Sequence, residues 1–296
     1  MKRQTLLLTG TAGFIGYKFL IFALSNNFSV IDILRSKNKS NKKIKKLRNT
    51  YPDSYKNIFF DNKKILSKKL NNINVDYFIN FATLYSNNHT HKQVSSFIES
   101  NVSFPTLIYD IVHHKTKKII NFGSMMQHSK NANLVSKNLY AATKNAFEMI
   151  SNYYSTINNK TKFYNIKFYE SFGDNDTRNK IIPTIINNYK KNIVTKVISK
   201  KLSLNIIHTD DIINSIMILI NHNIKSGNYC IKNTHNIKIS SLIDSLNKSL
   251  HKKIKVKYDN KPINPIIRTS LKTLPKWRPN KNLEKKIIST FKYETT

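Results

Sequence analysis

The chain has 296 residues, of which 40% are hydrophobic, so it is long enough to bury a large core in one domain or two joined lobes. Its net charge of +34 suggests a nucleic-acid partner, but only six of the 50 basic residues are arginine and the lysines are spread along the chain, which indicates compositional bias and no specific nucleic-acid site. A single cysteine, Cys230, excludes an internal disulfide framework and favours a cytoplasmic location, and no apolar run is long enough to insert into a membrane.

Short apolar strands alternate with helical patterns over the first part of the chain. The predicted strands are residues 5–9, 28–34, 58–61, 75–81, 118–122 and 163–168. The predicted helices are residues 14–25, 91–113 and 138–156. This alternation predicts an α/β fold of the Rossmann type, in which a doubly wound parallel sheet has helices on both faces.

Beyond about residue 170 the pattern is less regular, with a predicted strand at 202–207 and helices at 210–221 and 239–250. We therefore expect a dinucleotide-binding domain of residues 1–170. Residues 171–296 are predicted to form a smaller C-terminal α/β substrate lobe, partly interleaved with the sheet. The lysine-rich residues 36–46 are interpreted as a solvated loop or helix face.

Three of the six glycines lie between the first strand and the first helix, at Gly10, Gly13 and Gly16. Glycine at these positions permits a tight turn, close approach of the backbone to a diphosphate and close helix–strand packing. The start of the helix then presents backbone N–H groups to the anion. The G-x-x-G-x-x-G spacing is the form that short-chain dehydrogenases use.

The end of the second strand bears on the choice between NAD and NADP. The position where NAD enzymes commonly have an acid is Leu34, followed by Arg35 and Ser36. A guanidinium and a hydroxyl suit a 2′-phosphate, so NADP(H) is favoured, with NAD(H) possible. Asp32 is the objection, since a shift of two residues would restore an acid, but it is expected to lie within the strand.

Tyr140 and Lys144 lie four residues apart, on one face of a predicted helix. A nearby ammonium lowers the pKa of a phenol and so lets it exchange protons nearer neutral pH. Ser124, just past the strand at 118–122, is placed to hydrogen-bond a substrate carbonyl. Together these three residues are the predicted catalytic group.

These features resemble the extended short-chain dehydrogenase/reductase family, also called the NAD-dependent epimerase/dehydratase family, over essentially the whole chain. Residues 121–128 and 138–148 look most like the branch of CDP-paratose and CDP-abequose synthases, which reduce a 4-keto-3,6-dideoxy sugar on CDP with NADPH. Residues 172–178, 207–211 and 274–277 resemble further family segments. The sequence departs from the family at Asn80, Phe172 and Lys285-Lys286, which weakens the substrate assignment.

The resemblance implies reduction of a 4-keto group on a nucleotide-linked deoxysugar for cell-surface (O-antigen) polysaccharide, and a homodimer formed through the helices at 91–113 and 138–156. The cofactor contacts expected are Gly10, Gly13, Phe14, Ile15, Gly16, Arg35, Ser36, Asp61, Ala82, Asn101, Tyr140 and Lys144. The substrate contacts expected are Thr83, Tyr85, Ser124, His128, Arg178 and Lys180, the last two on the diphosphate. No metal site is expected, because the histidine pairs lack carboxylate or cysteine partners.

Other chemistries of this scaffold stay open to different degrees. A 4,6-dehydratase needs an acid pair directly after the Ser124 position, where Met125 and Met126 stand. An NAD-dependent 4-epimerase is the main alternative, and the missing acid at Leu34 counts against it. An alternative of another class is a regulator that binds a dinucleotide without turnover, but such chains usually lack the tyrosine or the lysine.

Overall fold

The structure, a computed structural model, describes residues 3–35, 41–60, 63–128, 135–263, 266 and 269–293. The described residues form two compact units. The first unit holds the residues up to Lys167 together with Leu219–Tyr229 and Thr269–Lys272, and the second unit holds the rest. None of the described helices is both long enough and apolar enough to cross a membrane.

A seven-stranded sheet organises the first unit. Its strands are β1 (Thr5–Thr9), β2 (Ser29–Arg35), β3 (Tyr55–Phe60), β4 (Tyr77–Asn80), β5 (Lys118–Phe122), β6 (Lys162–Lys167) and β11 (Gly227–Cys230). Their spatial order is β11-β6-β5-β4-β1-β2-β3, and β1 to β6 pair in parallel. The order reverses at β1, as in doubly wound sheets. The predicted Rossmann-type α/β fold is confirmed.

Helices connect the parallel strands of this sheet. They are α1 (Phe14–Ser25), α2 (Lys42–Thr50), α3 (Lys63–Asn71), α4 (Val94–Ile98), α5 (Phe104–Val112) and α6 (Leu139–Ile157). A π-helical turn, Glu99–Ser103, joins α4 to α5. The helix predicted at 91–113 is therefore interrupted by this irregular turn. A 3₁₀ turn, Met125–Gln127, follows β5.

The strands are apolar on both faces because helices cover both faces. Leu6, Leu7 and Leu8 of β1 have no exposed surface, and the same holds for Ile119 and Ile120 of β5. Such burial stabilises the sheet by about 1.5 to 3 kcal/mol for each large apolar side chain. The carboxyl ends of β1, β4 and β5 are thereby held at one edge, where the loops that carry the candidate site begin.

A row of buried amides crosses the sheet near this edge. Thr9 Oγ1 donates to Asn80 Oδ1 (2.7 Å), and Asn80 Nδ2 donates to Asn121 Oδ1 (2.9 Å). Asn121 in turn donates to Asn165 (3.1 Å), and Asn165 donates to Asn228 (2.9 Å). Each buried amide therefore has a partner on the neighbouring strand. Asn80, which departs from the family pattern, is one member of this row.

The described residues of the second unit form short strands and four helices, one of which extends into the first unit. Its strands are β7 (Glu170–Phe172), β8 (Thr195–Val197), β9 (Ser203–Leu204), β10 (Ile206–His208), β12 (Ile237–Lys238) and β13 (Val256–Tyr258). Its helices are α7 (Ile181–Lys190), α8 (Thr209–Asn221, the end of which belongs to the first unit), α9 (Ile239–Ser249) and α10 (Leu283–Tyr293). Trp277 is fully buried there and donates its indole N–H to Asp211 O (3.0 Å). That this unit binds substrate stays a prediction.

Candidate active site

The glycine turn between β1 and α1 leaves no space for side chains at Gly10 and Gly16. Gly10 has φ +76°, and a Cβ on it would lie 2.4 Å from the backbone N of Ala82 and the backbone C of Phe81. A Cβ on Gly16 would lie 2.5 Å from Gly10 O. Glycine is therefore required at both positions, because the obstructing atoms belong to the backbone.

The N-terminus of α1 suits an anion. Its N-cap residue, Gly13, makes no side-chain cap hydrogen bond, and the first turn of this helix has no acidic residue. Phe14 and Ile15 open the helix, so their backbone N–H groups lie in the turn where the helix dipole favours negative charge. The residues present fit the diphosphate of a dinucleotide.

Asp32 lies inside β2 and is fully buried, as the sequence predicts for its place in the strand. Its carboxylate accepts hydrogen bonds from Thr11 Oγ1 (2.6 and 2.7 Å) and from Tyr55 Oη (2.7 Å). Burial raises the pKa of Asp32 to about 7, although both hydrogen bonds lower it. The carboxylate thus ties the glycine turn to β3.

The strand end beyond Asp32 carries no acid. Leu34 is buried and Arg35, the last residue of β2, is exposed. Ser36 and Asp61, both predicted cofactor contacts, lie outside the described residues. Their roles stay predictions.

The loop after β4 carries Ala82, Thr83 and Tyr85, and Asn101 holds it in place. Asn101 is buried; its Oδ1 accepts from Leu84 N (2.6 Å) and Thr83 Oγ1 (3.3 Å). Its Nδ2 donates to Leu84 O (3.0 Å) and to Thr143 Oγ1 on α6 (2.9 Å). Asn101 therefore connects this loop to the helix that carries the candidate catalytic pair.

Tyr140 and Lys144 lie on the buried face of α6, with only 8% and 4% of their surfaces exposed. Asn138 caps the helix by accepting from Ala141 N (3.0 Å). Lys144 Nζ donates to Phe122 O at the end of β5 (2.9 Å). Burial lowers the pKa of Lys144 to about 8, so it still carries its charge at neutral pH.

The ring of Tyr140 is held from the side of the β4 loop. Tyr85 contacts it edge to face, with 4.9 Å between the ring centroids and 85° between the planes. Tyr85 Oη donates to Asn87 Oδ1 (2.7 Å), and Asn138 Nδ2 donates to Asn87 O (3.1 Å). The structure thus brings the predicted substrate residue Tyr85 against the predicted catalytic tyrosine.

Ser124 begins the 3₁₀ turn after β5. Its Oγ accepts from Met126 N (3.2 Å), and its backbone N–H donates to Gln127 Oε1 (2.8 Å). A hydroxyl oxygen that accepts in this way can still donate its own proton. Ser124 is placed directly after the strand end that Lys144 contacts.

His128 follows the same turn and is 5% exposed. Its Nε2 lies 2.9 Å from Nζ of Lys167, so this nitrogen is directed at a buried ammonium of the interior. A direct role of His128 on the substrate stays a prediction.

Arg178 and Lys180 belong to the second unit, where carboxylates partner both. Arg178 makes a bidentate pair with Asp176 (2.7 and 2.8 Å) and also donates to Ser171 O (2.9 Å). Nζ of Lys180 lies 3.3 Å from Oε2 of Glu170. A diphosphate here would compete with these acids, and the predicted contact is untested. Among the described residues no group of three or more His, Cys, Asp or Glu could hold a metal ion.

Sequence reasoning misses five buried polar residues around this site: Thr11, Tyr55, Gln127, Glu148 and Lys167. One signal was present in the sequence. Glu148 lies four residues after Lys144 and eight after Tyr140, which places it on the same helix face.

Comparison with known proteins agrees with this fold. The NAD dependent epimerase/dehydratase family matches residues 6–231, more than half of the chain. The chain belongs to this family, which confirms the resemblance and the prediction of an NAD(P)-dependent enzyme.

Individual relatives are distant. The CDP-abequose synthase of Salmonella muenchen is 23% identical over 292 residues, which cover 95% of each chain. The UDP-glucuronic acid 4-epimerase of Bacillus cereus, solved with NAD, has a TM-score of 0.79 at 17% identity over 98% of each chain. The UDP-N-acetylglucosamine 4-epimerase of Methanobrevibacter ruminantium M1 has a TM-score of 0.81 at 18% identity over 99% of each chain. At these identities the structural likeness shows the fold alone.

The buried carboxyl of Asp32 makes stability depend on pH. Its pKa is raised from 3.8 to about 7, so the stability gained from the protonated form is present below pH 3.8 and is lost as pH rises through 7. We expect the melting temperature of Asp32→Asn, relative to the wild type, to increase between pH 5 and pH 8. Thermal melts across this range measure it, with the exposed Asp53→Asn as the control for loss of a carboxylate. A difference that stays constant with pH would contradict the raised pKa.

Proposed function

We propose that this enzyme reduces the 4-keto group of a nucleotide-linked deoxysugar, such as a CDP-4-keto-3,6-dideoxyhexose, with NADP(H), in the cytoplasm. The observation that carries the proposal is the buried Tyr140–Lys144 face of α6 beside the end of β5. The substrate class is supported by the CDP-abequose synthase relative. The sequence at Met125 and Met126 offers no acid pair for dehydration.

The nicotinamide, when bound, supplies a hydride to the carbonyl carbon. The proton that the carbonyl oxygen receives comes from the chain's own residues. Ser124 Oγ–H donates to the carbonyl oxygen and orients it, and the Tyr140 hydroxyl gives its proton to the oxygen as negative charge develops there. Lys144, anchored on Phe122 O, stabilises the phenolate that remains. One hydride and one proton are added, and the ketone becomes an alcohol.

Removing the Tyr140 hydroxyl tests this assignment. Tyr140→Phe keeps the ring against Tyr85, so we expect kcat for NADPH-dependent ketosugar reduction to fall by about 10² to 10⁴, the usual contribution of a general acid. Absorbance at 340 nm follows turnover with CDP- and dTDP-4-ketosugars, and fluorescence titration follows the NADPH Kd. Tyr154→Phe is the matched control, since it keeps the ring and removes a hydroxyl that donates to Asp110 Oδ1 near the other end of the same helix.

Three outcomes are distinguishable. Loss of turnover with unchanged NADPH binding supports the proposal. A Tyr140→Phe variant as active as the wild type contradicts the role of Tyr140. A wild type that binds the dinucleotide and turns over no nucleotide sugar is a regulator without catalysis.

The preference for NADP(H) is supported by the second strand. Asp32 is engaged by Thr11 and Tyr55 inside the strand, while Leu34 is buried and Arg35 is exposed at its end. No described side chain at this strand end offers a carboxylate to a ribose 2′-hydroxyl, whereas the guanidinium suits a 2′-phosphate.

Reversing the charge at Arg35 tests the preference. We expect Arg35→Glu to raise the Kd of NADPH by about tenfold or more while the Kd of NADH changes little, since a charged hydrogen bond contributes about 1.5 to 3 kcal/mol. Titration calorimetry measures both constants. Lys46→Glu, an exposed position on α2 with the same charge change, is the control. Equal changes for both dinucleotides would contradict a contact with the 2′-phosphate.

A 4-epimerase is the second candidate, because the structural neighbours include 4-epimerases, one of them solved with NAD. Such an enzyme regenerates its cofactor within each cycle. Tightly held NAD in the purified protein, with inversion of a UDP-sugar and no net NADPH oxidation, would favour it over the reductase.

We further propose a homodimer formed through α4 and α6. Met149, Tyr153 and Ile157 are each more than half exposed and lie four residues apart on α6, and Val94 and Ile98 of α4 are also exposed. An apolar stripe of this kind on a helix is typical of a protein interface.

A charge placed in the stripe tests the dimer. We expect the wild type to elute as a dimer in size-exclusion chromatography with light scattering, and Met149→Glu and Tyr153→Glu to elute as monomers because a buried carboxylate would be unpaired. Ile21→Glu, an exposed apolar residue on α1, is the control and should stay dimeric. A monomeric wild type at micromolar concentration would contradict the proposal.

A further inference from the structure

A buried ion pair lies next to the candidate catalytic pair and has no part in the proposed proton transfer. Lys167, the last residue of β6, has no exposed surface, and Glu148 on α6 is 7% exposed. Nζ of Lys167 lies 2.8 Å and 3.0 Å from the two carboxylate oxygens of Glu148. Removing two charges from water is costly, and such a pair is often no more stabilising than apolar residues of the same volume. Stability alone is therefore a weak explanation for it.

Gln127 connects this ion pair to the backbone of Ser124. Its Nε2 donates to Glu148 Oε2 and to Asn145 Oδ1, each at 2.7 Å. Its Oε1 accepts the backbone N–H of Ser124 (2.8 Å). Gln127 is fully buried, so its amide orientation is fixed by partners on both sides. The carboxylate of Glu148 thus determines which way the Gln127 amide faces, and the amide holds the N–H of Ser124.

The segment Phe122-Gly123-Ser124 is consequently attached to α6 at both ends. Lys144 binds Phe122 O, and Glu148 acts on Ser124 through Gln127. Between them, a Cβ on Gly123 would lie 2.5 Å from Gln127 Oε1 and 2.9 Å from Cγ of Lys167. The packing at Gly123 therefore admits no methyl group unless Gln127 or Lys167 moves.

We propose that the buried network of Lys167, Glu148 and Gln127 positions Ser124 for catalysis. This inference rests on the proposed function, because it assigns the network to the same proton-donating site. Lys167 pairs with the carboxylate of Glu148 and holds it in place, the carboxylate orients Gln127, and Gln127 fixes the turn that presents the Ser124 hydroxyl. The three residues are positioning residues and touch neither substrate nor cofactor.

Two variants perturb the network in different ways. Gln127→Met keeps the volume and removes the hydrogen bonds to Ser124, Glu148 and Asn145. Gly123→Ala keeps every polar group and displaces Gln127 Oε1, so it tests the same contact without leaving a buried charge unpaired. If one variant fails to fold, the other still tests the proposal.

We expect both variants to lower kcat about 10- to 100-fold, the loss typical of a misplacement of about 1 Å in a catalytic group. The NADPH Kd should change less than twofold, because the glycine turn lies elsewhere. The amide of Ser124 should exchange with deuterium faster than in the wild type, as read by mass spectrometry of the peptide that spans residues 118–127.

Lys118→Met is the matched control for a purely structural effect. Lys118 Nζ donates to Leu219 O, Ile220 O and His222 O at the end of α8 (2.5, 2.8 and 2.9 Å). Its removal should lower the melting temperature and leave kcat unchanged.

The outcomes distinguish failure of the positioning role from failure of the proposed function. An active wild type whose Gln127→Met and Gly123→Ala variants fold and keep the wild-type kcat overturns the positioning role alone. A wild type that binds NADPH and reduces no 4-ketosugar contradicts the proposed function and the positioning role with it. Equal loss of kcat in Lys118→Met would assign the effect to stability and also overturn the proposal.

Discussion

The buried polar face of α6 is the constraint on which the candidate site depends. Helices of parallel α/β proteins normally turn apolar residues to the sheet, and Phe147 of α6 does so. Lys144 and Glu148 instead bring charges into the interior, where each must have a partner. Those partners are Phe122 O and Lys167, at the carboxyl ends of β5 and β6. Because each buried charge needs its partner, these contacts fix the distance between α6 and the ends of β5 and β6.

The same helix also fixes the loop after β4, through the bond from Asn101 to Thr143. The loops after the neighbouring strands β4 and β5 are therefore both anchored to α6. Tyr140 lies on the first turn of this helix. At the other side of β1, the Asp32 carboxylate attaches the glycine turn to β3 through Thr11 and Tyr55. Backbone packing of Gly10 against Ala82 joins the glycine turn to the β4 loop. The cofactor and catalytic elements are thus connected by buried contacts within one unit.

Periodic patterns predicted the fold well where apolar residues dominate an element. The predicted strand at 5–9 and the helix at 14–25 match β1 and α1, because their apolar residues are nearly continuous or helically spaced. The sequence did not predict α7 and α10, and α2 was interpreted as a loop or helix face because lysine dominates it. The tyrosine–lysine pair and the glycine turn were predictable because short local spacing defines them. The bonds of Asp32 to Tyr55 and of Glu148 to Lys167 join residues distant in sequence, and no local pattern reveals such partners.

The origin of the hydrogen added to the sugar tests the central claim most directly. A 4-ketosugar nucleotide is incubated with NADPH that carries deuterium on the reactive face of the nicotinamide, and the product is examined by NMR and mass spectrometry. The account predicts one deuterium at the former carbonyl carbon, a single configuration there, and one NADPH consumed for each sugar reduced. Unchanged ketosugar with no NADPH consumption, together with inversion at C4 of a 4-hydroxy UDP-sugar by NAD that the protein retains, would contradict it and assign the site to an epimerase.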